Sequence, residues 1–159
     1  MKAPIVRQIS WPAAIPQFAF LGLAILAGFY VLDNSNGALF GVLAYLMFSL
    51  GSKMIIARDH QVGMTLIRNQ QYEAAIQAFE RSYRFFAEYR WIDRFRSVVL
   101  MSASATSYRE MALCNIAFSY SQLGKGGKAE EFYRKALEAF PESGLAASAV
   151  RLIESSKNT

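Results

Sequence analysis

The side chains able to do chemistry in this chain are few, and their spacing does not assemble a reactive site. His60 is the only histidine among 159 residues, which excludes a histidine-based triad or a metal site built from several imidazoles. Coming just after a long apolar run, it reads as a solvated or interfacial side chain. Cys114 is the only cysteine, so no intramolecular disulfide can form. With Leu113 and Ile116 as neighbours it reads as a buried structural thiol. Gly124-Lys125-Gly126-Gly127-Lys128 precedes a helical stretch and invites comparison with a phosphate loop. It lacks the G-x-x-x-x-G-K-[ST] pattern and a strand before it, so it reads as a turn. Glu130 and Glu131 are adjacent, share no helix face and read as solvated charge. The expectation is a protein that is not an enzyme, with no catalytic residue, cofactor or metal.

One segment does concentrate chemical character. Within Arg81–Met101, Arg84, Arg90, Arg94 and Arg96 are interleaved with Trp91 and Phe95. As a single amphipathic helix it could lie on anionic lipid, aromatic rings inserted and guanidinium groups at the headgroups. The apolar stripe Trp91, Ile92, Phe95, Val98 and Val99 could instead pack on a neighbouring helix, or meet a protein partner or a second copy. Nucleic acid fits poorly, because the net charge is only +5 and no nucleic-acid motif is present.

The elements that would position these residues divide the chain in two. Overall the sequence is 53% hydrophobic and 18% charged, against about 45–50% and about 25% in ordinary globular chains. The imbalance lies in Met1–Ala57, whose only charged side chains are Lys2, Arg7, Asp33 and Lys53. Residues 13–32 and 38–57 each reach the roughly 20 residues that cross a bilayer. Pro12 and Pro16 suit a helix start, Trp11 and Tyr30 suit the interfaces, and Asp33–Gly37 is a polar turn. Lys53 belongs at an interface, where its ammonium can snorkel. A cleavable signal peptide and a buried soluble hairpin compete with this reading. The first is opposed by the immediate second run and the absence of a cleavage site, the second by the length of the charge-poor stretch.

Lys2 and Arg7 precede the first run, while Lys53, Arg58 and Arg68 end or follow the second. The positive-inside rule then places both termini and everything after residue 57 in the cytoplasm, as in an inner-membrane protein. Ala24 and Gly28 on one helix, and Gly37 and Gly41 on the other, have the spacing that lets membrane helices approach closely. They could pack the hairpin on itself or join copies into a homo-oligomer.

From Arg58 onward the pattern is helical, and two segments share a register. Gly63 and Ala117 are small sites in a first helix, with Val62 and Ile116 before them and Leu66 and Tyr120 three residues after. Ala75 and Ala129 open a second helix, followed by Phe79 and Tyr133 and then by Ser82 and Ala136. Asn69–Gln71 makes a weak turn between the helices of the first copy, and Pro141 stops the second. This register resembles that of the tetratricopeptide repeat, a helix-turn-helix unit that needs neighbours to bury its apolar face. The resemblance covers about 58–87 and 110–141. It implies binding of a peptide segment in a groove lined by the first helix of each repeat, here His60, Gln61, Met64, Met111, Asn115 and Phe118. Asn115 holds the place of an asparagine that often contacts peptide backbone in the family. The basic clamp for a C-terminal carboxylate found in chaperone-binding members is absent.

The copies lie 54 residues apart, where repeats of this kind follow one another every 34 or so. The first copy has Ala87 where the second has its stopping proline, so its second helix is expected to run on into the insert, 88–109. Ser107 can cap the following helix, with Glu110 three residues later. After Pro141, a helix over 143–155 with Leu145, Ala149, Leu152 and Ile153 on one side can close the array, Arg151, Glu154 and Lys157 facing solvent. The expected architecture is all-α: a membrane anchor over 1–57, then a cytoplasmic repeat domain over 58–159. The resemblance implies a non-catalytic scaffold or accessory subunit holding a protein partner or membrane complex at the bilayer. A membrane-surface protein acting through 81–101 is the alternative.

Overall fold

The computed structural model describes residues 11–32 and 36–157. Lys2 and Arg7, three residues of the Asp33–Gly37 turn and the side chains of Trp11 and Lys157 lie outside the described set. Helices α1 (Trp11–Leu32), α2 (Gly37–Ile56), α3 (Arg58–Arg68), α4 (Tyr72–Glu88), α5 (Arg90–Arg94), α6 (Arg96–Val99), α7 (Tyr108–Gln122), α8 (Gly126–Ala139) and α9 (Gly144–Lys157) follow in order. They form two compact units, and the division does not follow chain order. Residues 11–57 group with Arg94–Ala105, and Arg58–Asp93 with 106–157.

In the first unit, α1 and α2 are each long and apolar enough to cross a membrane. They pack through their small residues. A Cβ added to Gly41 would meet the Ala24 carbonyl oxygen and lie 2.6 Å from the Ile25 Cα, and one on Gly37 would lie 2.6 Å from the Phe29 Cα. One on Gly28 would strike the Gly37 carbonyl oxygen. Phe20 sits against Phe48, ring centroids 5.4 Å apart. Ile15, Phe18, Leu23, Leu26 and Val31 on α1, and Leu39, Met47 and Leu50 on α2, are more than half exposed. A soluble core helix would bury such side chains. Pro16 lies inside α1 rather than at its start, because the helix begins at Trp11. Lys53 occupies the last turn of α2, where its charge complements the helix dipole.

Also in this unit, α6 packs on α1. The segment is closed on itself. Arg96 donates from Nε to the Ser104 carbonyl at 3.1 Å and from a terminal nitrogen to the Ala105 carbonyl at 2.7 Å. The Ser102 N–H returns to the Arg96 carbonyl at 3.1 Å.

In the second unit the two copies adopt one architecture. A Cβ on Gly63 would come within 2.8 Å of the Phe79 ring, which is why α3 and α4 touch where a small residue meets a large one. Ala75, Phe79 and Ser82 in α4, and Ala129, Tyr133 and Ala136 in α8, are all buried. The turns also match. In the second copy Gly124, at φ 69°, ends α7; its N–H reaches the Ser121 carbonyl and the Lys125 N–H the Tyr120 carbonyl, at 3.1 and 3.0 Å. This is the Schellman arrangement, which favours glycine in the left-handed position. The first copy builds the same turn with Gln70 at φ 59°, its N–H on the Ile67 carbonyl and the Gln71 N–H on Leu66. The segment that reads as a weak turn is a complete helix stop with glutamine where glycine is usual.

Ser107 caps α7, its Oγ accepting from the Glu110 N–H at 3.1 Å. α9 packs on α8 and buries Ala146 and Val150 with Leu113, Ala117 and Tyr133, with Ala149 and Ile153 alongside. The stripe is therefore shifted from the expected one, with Leu145 on its margin and Leu152 in solvent. Ser143 Oγ accepts from the Ala146 N–H at 3.4 Å, and Glu154 meets Arg134 at 2.6 Å.

The helix before the insert does not run on. α4 ends at Glu88, and two short helices replace the continuous amphipathic helix expected over 81–101. Asp93 supplies the reason. Its carboxylate, 1% exposed, accepts from the Tyr108 N–H at 2.8 Å and from Arg109 Nε at 3.0 Å. The first turn of a helix presents unpaired N–H groups and a partial positive charge. Bringing Asp93 to that end of α7 requires the chain to break direction after α4.

Candidate functional site

The first helix of each repeat, α3 and α7, supplies the expected binding residues, and the structure separates them into one that is sealed and five that are not. His60 is 6% exposed, which corrects its reading as a solvated or groove-lining side chain. Its ring stands edge-on to Phe79 and Tyr108, with centroids 5.2 and 5.0 Å away, and Nδ1 lies 3.4 Å from Ser82 Oγ. Burial lowers its pKa to about 4, so the imidazole is neutral at physiological pH. The reason is register: His60 lies one turn before Gly63 and faces α4 with it.

Gln61 is exposed, while Met64, Met111, Asn115 and Phe118 are half-buried. Asn115 Nδ2 lies 3.6 Å from Met64 Sδ, joining residues 51 apart in sequence. Among the described residues nothing donates to the Asn115 Oδ1, so this amide keeps an acceptor and a second N–H unused. Phe118 makes an edge contact with Tyr72 at 6.4 Å. Tyr72 is a contributor that the register alone misses, because it belongs to α4 rather than to a first helix. The five accessible candidates carry no charge. They offer amide groups among thioethers and an aromatic ring.

No activated nucleophile lies nearby. Burial pushes the Cys114 thiol up to about 12, with the Glu110 carboxylate adding to the rise and a hydrogen bond from Ser143 opposing it. Burial likewise raises the Tyr133 hydroxyl to about 12. A reactive cysteine needs the opposite shift. Lys125 and Lys128, the two lysines of the glycine-rich turn, flank the start of α8, and Lys128 Nζ lies 5.4 Å from the centre of the Tyr120 ring.

The basic and aromatic candidates of the insert are divided as well. Arg84 lies exposed on α4, and Arg90 and Trp91 are exposed on α5. Arg94 and Phe95 are exposed in the other unit, where Arg96 is half-buried and holds its own loop closed. Asp93 between them is the residue that sequence reasoning missed. Its partner lies 15 residues later, with no local signal beyond an acidic side chain in an arginine-rich run.

A comparison with protein families matches the tetratricopeptide repeat at residues 60–87 and 112–143. No curated protein and no solved structure matches the chain. The matched ranges are the α3–α4 and α7–α8 pairs, with α9 packed on the end of the second. The chain therefore carries two tetratricopeptide repeats, at residues 60–87 and 112–143, behind two long apolar helices.

Proposed function

We propose that this protein is a non-catalytic scaffold or accessory subunit, anchored in the inner membrane by α1 and α2, whose repeats bind an uncharged extended segment of a protein partner. The observation that carries this reading is the pair of repeats at 60–87 and 112–143, on which Asn115 and Met64 approach each other across α3 and α7. Repeats of this kind make their concave surfaces from such first helices. The anchoring part rests on two helices that leave most of their large apolar side chains exposed. The orientation, with both termini and the repeats in the cytoplasm, rests on Lys2, Arg7, Lys53, Arg58 and Arg68.

A homo-oligomer through Gly37 and Gly41 has less support, because those faces are occupied within the hairpin. The test is quantitative affinity capture of the full chain in mild detergent, comparing the parent with an Asn115→Ala, Phe118→Ala double variant. A partner that is enriched with the parent and lost with the variant supports the face. If every captured protein is retained, the repeats do not bind through these residues. A C-terminal topology reporter, active only in the cytoplasm, tests orientation separately.

A further inference from the structure

Arg94–Ala105 has three properties that are unusual together. It belongs with the apolar helices, its α6 packing directly on α1. Its exposed large apolar residues are an aromatic and an aliphatic side chain, Phe95 at 55% and Val98 at 45% exposure. It carries no acidic residue, and its one free cation among the described residues is the exposed Arg94.

We propose that this segment is an interfacial wedge. Braced on α1, it seats Phe95 and Val98 at the top of the acyl chains and sets Arg94 against the phosphates of anionic phospholipid. The proposal rests on the reading of α1 and α2 as membrane-crossing helices, and it adds a residue-level lipid contact that anchoring alone does not require. A segment lying on a helix shares that helix's solvent on its far side. On α1 that solvent must accept Ile15, Phe18, Leu23 and Leu26.

Backbone chemistry points the same way. Polar main-chain groups entering a low-dielectric layer must be paired internally. Here the Val98 and Val99 N–H groups reach the Phe95 carbonyl, those of Leu100 and Ser102 reach the Arg96 carbonyl, and Arg96 covers the Ser104 and Ala105 carbonyls. Arg96 thereby serves the loop and leaves Arg94 to meet lipid. Aromatic side chains with an adjacent arginine suit the headgroup boundary.

The experiment uses the full chain with Cys114→Ala, reconstituted into vesicles of phosphatidylcholine with or without phosphatidylglycerol. Single environment-sensitive labels are placed at Val98→Cys and, so that no one variant decides, at Ser97→Cys. Leu26→Cys reports the membrane interior and Ser121→Cys the aqueous phase. Labels are challenged with iodide and with nitroxide-bearing lipids.

The wedge requires labels at 97 and 98 to be quenched by shallow nitroxide lipids and shielded from iodide. On phosphatidylglycerol, Arg94→Gln should shift the ratio of seated to lifted wedge by about five-fold, the effect of one cation near an anionic surface. If Leu26→Cys is quenched by lipid while the loop labels behave like Ser121→Cys, the wedge is overturned and the membrane reading stands. Loop labels shielded from both quenchers indicate a protein cover and also overturn it. Quenching indifferent to lipid charge and to Arg94→Gln removes the anionic-lipid assignment. If Leu26→Cys itself is open to iodide, the membrane reading fails and takes the wedge with it.

Discussion

Asp93 and Arg109 form a largely buried ion pair, Oδ2 to Nε 3.0 Å, that ties the insert to the first turn of the second repeat. The same carboxylate accepts from the Tyr108 N–H at 2.8 Å, and the Arg109 guanidinium lies 5.3 Å from the centre of the Phe140 ring. Removing the carboxylate takes its partner from the Arg109 guanidinium and an acceptor from two helix N–H groups. Asp93→Ala is expected to cost about 3 kcal/mol, and Asp93→Asn less, because one carbonyl oxygen remains. Denaturant titration of the full chain in detergent measures both. An Asp93→Ala variant as stable as the parent would show that the pair does not hold the insert.

His60 makes stability depend on pH. Burial lowers its pKa from 6.5 to about 4, so the folded protein binds its proton less readily than the unfolded chain does. The stabilisation is complete above about pH 6.5 and is lost as pH falls through the folded value near 4. The full excursion amounts to roughly 3 kcal/mol. Unfolding midpoints at a series of pH values should slope in that window for the parent and lose this component in His60→Phe. An identical slope in the variant would place the titration elsewhere.

Gln70 occupies a left-handed position, φ 59°, equivalent to that of Gly124. A side chain there costs about 1–2 kcal/mol, part of which glycine gives back through its freer unfolded chain. Gln70→Gly should therefore stabilise the first repeat by up to about 1 kcal/mol. Gly124→Gln should destabilise the second by a similar amount. Paired melting curves decide it, and a destabilised Gln70→Gly would contradict the shared turn geometry.

Gly41 faces backbone, with the Ala24 carbonyl and the Ile25 Cα in the space its side chain would need. Leucine there cannot be accommodated by rotating a neighbour, so α1 and α2 must separate. Oxidative cross-linking between Phe20→Cys and Phe48→Cys, whose rings lie 5.4 Å apart in the parent, should fall sharply in Gly41→Leu. Gly22→Leu is the control, since nothing lies within 4 Å of a Cβ there.

Cys114 should be chemically silent until the repeats open. With its thiol pushed from 9.0 up to about 12, the thiolate fraction near neutral pH falls roughly a thousand-fold. Maleimide labelling of the full chain should be negligible in the native state and rapid in denaturant. Fast native labelling would mean that the α7–α9 core opens frequently.

Local pattern determined much of this protein. Small and large residues at helical spacing, from Gly63 and Phe79 to Ala129 and Tyr133, specify which faces of α3, α4, α7 and α8 must meet. Ser107 and Glu110 mark a helix start through an interaction three residues long. The near absence of charge before Ala57 specifies two long apolar helices, and Ala24, Gly28, Gly37 and Gly41 lie at spacings suited to close approach. These features depend on periodicity and near neighbours, which a linear string records. Tertiary structure alone decided the rest. Asp93 breaks the helix after α4 because an N–H group 15 residues away needs its carboxylate. His60 is neutral because rings from α4 and α7 close over it. Gln70 stands at φ 59° where the other copy has glycine, a left-handed position that its residue type does not announce. Arg94–Ala105 joins α1 rather than the repeats that flank it in sequence, since burial follows contact in space and not order along the chain.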